Sequence, residues 1–303
     1  MFLGLCLVII TGLSWIIAGA VMAQVVARRW NTYHYLTMGT LASAAVSLAF
    51  MPFMGETHSA FPAAGICLLM VLNGFVNLLG MEMIAKAMSL GPNALVWSMA
   101  QSALICPFIM GICLGSTPTF IRISGAILVV GGIIAAAFAR NTNRNAAQSS
   151  GTGSRKWLLV TMCAFSLAGL SQCLMNLPSY FPPEAAGGGL WRGVFMSIGG
   201  ALSMSMIMAL SPEARRKKCP LRLIFLTATL PGLIPGLVQN TCFYRGLDLL
   251  AQAGAGSIGY PICTGICIAG FTIYTAIRLR ERLTLVALIS TLLCLGGIVA
   301  LSL

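Results

Sequence analysis

The residues of this chain that could do chemistry are few, and most of them are neutral. Amides and large rings recur within long apolar stretches: Trp15, Asn73, Asn77, Trp97, Gln101, Gln172, Asn176, Gln239, Asn240 and Tyr260. An amide offers paired donors and acceptors, and a Trp or Tyr ring offers a flat apolar face with a polar tip. That set suits a small, polar, uncharged solute. Trp97 and Gln101 stand one helical turn apart, as do Gln172 and Asn176, so each pair shares a helix face. Taken singly, each residue has an equal alternative, a hydrogen bond between helices. Their recurrence in stretch after stretch favours a lined cavity. Candidate substrate-binding residues are therefore Trp15, Asn77, Trp97, Gln101, Gln172, Asn176, Gln239, Asn240 and Tyr260.

The six acids are Glu56, Glu82, Glu184, Glu213, Asp248 and Glu281, and only Glu82 and Asp248 lie within apolar stretches. Glu82 and Lys86 have the i, i+4 spacing of a helix ion pair, and Arg245 with Asp248 is the approximate counterpart. One reading makes each a helix-end ion pair. The other makes Glu82 or Asp248 a proton acceptor in coupled transport, Glu82 being the deeper. An enzyme is not expected: His34 and His58 sit at stretch edges, and no acid/base or metal-ligand cluster is spaced for chemistry. The 11 cysteines fall mostly in apolar runs, as small hydrophobes do. No cofactor or metal is implied. A Gly-x-x-x-x-Gly-Lys-(Ser/Thr) loop is missing, so ATP hydrolysis is not expected.

These residues must be positioned by membrane-spanning helices. Of 303 residues, 58% are hydrophobic and 8% charged, whereas a soluble domain carries about 25% charge. Ten stretches are long and apolar enough to span a bilayer: 3–25, 34–54, 62–88, 93–115, 119–139, 157–178, 190–211, 222–246, 252–277 and 283–303. The fold class expected is an all-α integral membrane protein. Pro231-Gly232 and Pro235-Gly236 predict a kinked eighth span, and Gly254, Gly256 and Gly259 predict close helix crossings in the ninth. The net charge of +12 comes from basic clusters between stretches, such as Arg28-Arg29 and Arg215-Arg216-Lys217-Lys218. They occupy alternate connections, which places those connections in the cytoplasm and both termini outside. The charge thus reads as a topology signal, with no nucleic acid as partner. The location expected is the plasma (inner) membrane; a monomer is compatible with everything above.

The chain also repeats itself. Gly12-Leu-Ser14 matches Gly169-Leu-Ser171, Gly74-Phe-Val-Asn77 matches Gly236-Leu-Val-Gln239, and Gly131-Gly-Ile-Ile-Ala135 matches Gly296-Gly-Ile-Val-Ala300. The matches keep their order and a near-constant offset. They divide the chain into a first repeat, 1–139, a flexible linker, 140–156, and a second repeat, 157–303. Five spans per repeat insert the halves in opposite directions, an arrangement found in secondary transporters.

The five-plus-five division, the Gly-Gly-Ile-(Ile/Val)-Ala repeat ends and the stretch from Tyr260-Pro-Ile to Arg280-Glu-Arg-Leu-Thr284 resemble the drug/metabolite transporter superfamily. Cys163 with Gly169-Leu-Ser171 and Met175-Asn176, and Gln239 with Phe243-Tyr244-Arg245-Gly246, are similar to its carbohydrate branch, the L-rhamnose–proton symporters. The resemblance implies transport of a sugar by alternating access, coupled to a proton or sodium ion, with membrane lipid around it. Export of amino acids, other metabolites or drugs, and uncoupled facilitation, stand as alternatives.

Overall fold

The computed structural model describes residues 1–53, 60–113, 119–144, 151–212, 221–253, 259–280 and 284–302. Every regular element among them is helical. The first part of the chain forms α1 (Phe2–Ala27), α2 (Thr32–Phe50), α3 (Ala64–Met88), α4 (Asn93–Gln101), α5 (Ile105–Cys113) and α6 (Phe120–Arg144). The second forms α7 (Gly151–Asn176), α8 (Pro183–Ala186), α9 (Gly189–Leu210), α10 (Leu221–Ile224), α11 (Leu230–Val238), α12 (Tyr244–Gln252), α13 (Gly259–Arg278) and α14 (Leu285–Ser302).

Among the described residues, seven helices are long and apolar enough to cross a membrane; 120–135 and 285–300 are shorter apolar helices. Helix α1 shows why. It buries Val8, Val21, Met22 and Val25 and leaves Phe2, Leu3, Ile9, Ile10 and Leu13 exposed. A helix apolar on every side suits hydrocarbon around it. The eighth stretch is one rod broken by π turns at Phe225–Thr229 and Gln239–Phe243. Pro231 and Pro235 lack the N–H that an unbroken ladder needs, and their rings crowd the carbonyls four residues back. Where the sequence predicts a kink, two wide turns flank α11. Gly254 and Gly256 lie outside the described residues. The segment 140–156 expected as a linker is helical at 140–144 and 151–156, and 145–150 lie outside the described residues. Helices α6 and α7 run into the segment, since nothing at 140–144 breaks a helix.

Local signals set the helix ends. The Asn31 side chain accepts from the backbone N–H groups of Tyr33 (3.0 Å) and His34 (3.3 Å), capping α2. Pro92 precedes α4, and Gly91 just before it lies against the indole of Trp157.

Glycines decide how closely the rods approach. A Cβ on Gly74 would collide with the Met196 carbonyl, and one on Gly199 with that of Val71, so α3 and α9 cross backbone to backbone. Gly12 of α1 lies against Cys263 of α13, and Gly169 of α7 against Cys106 of α5. Gly236 of α11 faces Ser43 of α2. Helices α6 and α14 pair through Gly132, under Cys294, and Gly297, under Gly125 and Val129, with Ser290 Oγ donating to the Gly132 carbonyl at 2.8 Å.

The bundle has two distinct ends. At the end carrying α8, here the upper end, Ala63 N–H donates to Ala185 O (2.9 Å) and Gly188 N–H to Ala60 O (2.8 Å). Gly187, between these bonds, has φ +68° and touches Pro62, a backbone shape that disfavours a side chain. The lower end carries Arg28, Arg29, Lys86, Arg155, Lys156, Arg278 and Arg280.

Candidate functional site

One cavity of about 230 Å³ runs through the interior, walled by α1, α2, α3, α4, α7, α9, α11, α13 and the π turn before α12. Helices α6 and α14 contribute nothing to it. Eight of the nine candidate substrate residues line it: Trp15, Asn77, Trp97, Gln101, Gln172, Gln239, Asn240 and Tyr260. Asn176 does not. It is the last residue of α7, beyond Met175, where the chain tightens into a 3₁₀ turn at Leu177–Tyr180. The face it shares with Gln172 therefore leaves the cavity before reaching it.

The sequence reading missed the hydroxyl half of the wall. Tyr35, Thr40, Ser43, Ser171 and Ser197 also line the cavity. Tyr35, Gly39 and Ser43 recur every four residues along α2, a stripe legible by helical period. None of the lining residues is Asp, Glu, Lys or Arg.

Several polar tips are already engaged. Trp97 Nε1 donates to Cys267 Sγ at 3.2 Å, and its ring rests 5.2 Å from that of Phe271. Asn240 Nδ2 donates to Ser47 Oγ at 2.9 Å, and a Cβ on Gly193 would run into this amide. Tyr260 donates its hydroxyl to Met175 Sδ at 2.8 Å, and its ring meets Phe243 edge-on at 4.9 Å. Trp15 also packs on Phe243, ring to ring at 5.3 Å. Gln172 Oε1, by contrast, is buried without a hydrogen-bond partner. An orphaned amide oxygen on a cavity wall is an acceptor awaiting a donor.

The carboxylates lie behind the wall. Glu82 is 3% exposed, one residue along α3 from the lining Met81. Lys86 Nζ reaches its Oε1 at 3.6 Å, as the spacing predicts, while Oε2 is buried without a partner. Asp248 corrects the sequence reading. It meets Arg192 of α9, Nη1 to Oδ1 at 4.0 Å, whereas Arg245, the partner expected, is exposed. Adjacency along α12 suggested Arg245, but Arg192 is brought there by the α9 crossing. Arg192 is 4% exposed, donates from Nε to Ala186 O at 3.0 Å, and lies 5.6 Å over the Tyr244 ring. An arginine inside the run Leu190-Trp191-Arg192-Gly193 was itself the signal for it.

No group of three or more His, Cys, Asp or Glu that could hold a metal occurs among the described residues. Fold and site together define a helical protein with several helices suited to a membrane, enclosing a neutral polar cavity. No protein-family model matches the chain, and no curated protein is significantly similar to it.

Proposed function

We propose that this chain is a secondary transporter that carries a small, neutral, polar solute of sugar-like character by alternating access. The observation carrying this reading is the cavity wall: amides, hydroxyls and indole or phenol rings, with no charged side chain among the lining residues. Hydroxyl groups of a solute both donate and accept, which such a wall can answer at many points. Amino acids and organic cations bring charges that it leaves uncompensated in a low-dielectric interior. The volume lies just below the usual range of about 300–1,000 Å³ for small-molecule pockets, which fits a compact solute.

Alternating access needs two halves able to exchange roles, and the glycine contacts support an inverted repeat of ten spans. If α4–α5 and α10–α12 each count as one rod, sequence-matched glycines touch matched partners. Gly12 of span 1 meets span 9, and Gly169 of span 6 meets span 4. Gly74 of span 3 meets span 7, and Gly236 of span 8 meets span 2. Gly132 and Gly297 cross spans 5 and 10 from opposite sides. Glu82, buried beside the wall with one oxygen unpartnered, is the coupling carboxylate in this reading, its proton exchanged as the bundle opens toward it.

Proteoliposomes loaded with a panel of labelled solutes test it, with L-rhamnose, other monosaccharides, amino acids and quaternary amines side by side. Saturable, counter-exchanging flux of a neutral hydroxylated solute is expected. Gln101→Ala and Gln172→Ala should each lower it about tenfold, the cost of one buried hydrogen bond of about 1–2 kcal/mol. Linear flux without counter-exchange would indicate a channel, and flux confined to amines or amino acids would replace the sugar with those solutes.

A further inference from the structure

Methionines in a membrane bundle read as filler, but Met196 is at the centre of a polar convergence. Three donors from three places aim at its sulfur: Asn73 Nδ2 at 3.7 Å, Gln239 Nε2 at 3.6 Å and the Tyr244 hydroxyl at 3.9 Å. Asn73 is held in that pose by Ser171, whose hydroxyl donates to its Oδ1 at 2.7 Å. A thioether is a weak acceptor, and three donors sharing one, two of them buried and Gln239 half-buried, are poorly satisfied. Met196 and Gln239 both line the cavity, so an oxygen of an occupant can reach the same donors. Tyr244 faces the other way. Its ring lies under the Arg192 guanidinium, which joins α9 to Asp248 of α12 and to the Ala186 carbonyl at the upper end.

We propose that Met196 is a relay between cavity and upper end. Its sulfur stands in for an acceptor oxygen of the solute, and its displacement leaves the Tyr244 hydroxyl to Gln239 alone and so loosens the Arg192–Asp248 clasp. The proposal rests on the transport reading above. It assigns Met196 a positioning role: it holds the donors in the empty state and passes occupancy on to the contact that closes the upper end.

Hydrogen exchange by mass spectrometry on the protein in nanodiscs tests the relay, reading peptides over 183–192 and 244–252. Met196→Leu keeps the volume and removes the acceptor, so exchange in both peptides should quicken by about threefold or more as the clasp opens locally. Met196→Gln offers a stronger acceptor at similar length, so exchange there should slow. Met81→Leu alters another cavity thioether, one outside this convergence, and should leave both peptides as in wild type. Opposite signs for Leu and Gln are what a merely space-filling residue would not produce. Equal rates in all variants, changes of one sign, or a rise spread over the whole chain would overturn the relay. Millimolar L-rhamnose is the occupancy arm: it should quicken the same peptides in wild type and fail to do so in Met196→Gln. If L-rhamnose changes nothing in wild type while the two variants still move in opposite directions, the relay stands and the sugar reading falls.

Discussion

Arg192 and Asp248 form an unequal pair, and the inequality has measurable consequences. The arginine side chain is 5% exposed and the aspartate 45%. Removing the aspartate charge leaves a buried guanidinium with the Ala186 carbonyl and the Tyr244 ring as its partners among the described residues. Removing the arginine leaves a carboxylate that water already reaches. Asp248→Asn should therefore destabilise by about 2 kcal/mol, after discounting a fully buried pair for solvent screening. Arg192→Met, which deletes the buried charge itself, should stay within about 1 kcal/mol of wild type. Thermal unfolding in detergent checks the order, and Arg192→Met proving the worse of the two would refute it. Glu82 makes a separate residue-scale prediction. If the proton-coupled transport proposed above holds, uphill transport driven by a proton gradient should vanish in Glu82→Gln, whose carboxamide takes up no proton, while downhill exchange persists. Unchanged proton-driven accumulation in Glu82→Gln would remove Glu82 from the coupling step.

Between elements, the question is which glycines hold helices together and which merely occupy a helix. Gly74 places its α-carbon against the Met196 carbonyl, whereas Gly131 has open space where a Cβ would go. Gly74→Ala forces two long helices apart and should cost about 1–3 kcal/mol, the range of overpacked cores. Gly131→Ala should be neutral or stabilise by up to about 1 kcal/mol, since Ala loses less backbone freedom in a helix. Stability measured on both variants separates the cases, and equal losses would contradict the crossing geometry. The same contrast shows how far sequence carries. The double glycines at 131–132 and 296–297 were legible as matched motifs, and so was the succession of apolar stretches. Which glycine of each pair faces the neighbouring helix was not, because that depends on the rotation of both rods. The amide set was legible because polar groups are costly in hydrocarbon, so Gln101, Gln172 and Gln239 declared themselves. Tyr35 and Ser43 were hidden among residues that helices tolerate anywhere. Asp248 was paired with its chain neighbour because sequence sees the same helix, and the crossing of α9 supplied Arg192.

At the level of the whole molecule, the distribution of charge turns shape into orientation. The lower end gathers Arg28, Arg29, Lys86, Arg155, Lys156, Arg278 and Arg280, while the upper end has fewer: Arg122 in the first turn of α6, the buried Arg192 and the exposed Arg245. Short basic connections are retained in the cytoplasm because moving them across the bilayer opposes both the insertion machinery and the membrane potential. On the transporter reading proposed above, the lower end is the cytoplasmic one and the Arg192–Asp248 contact lies toward the outside. That reading has an even number of spans, with the start of α1 and the end of α14 both at the outer face. A fusion of green fluorescent protein after Leu303 should stay dark and alkaline phosphatase there should be active, because each reporter matures on only one side. The same reporters placed after Arg144, at the end of α6, should give the reverse, since five spans return the chain to the cytoplasm. Fluorescence at both sites would mean that one apolar rod does not cross. The rods to suspect first are the broken one, α10–α12, and the short apolar α14, since loss of either alone brings the end of the chain to the other side.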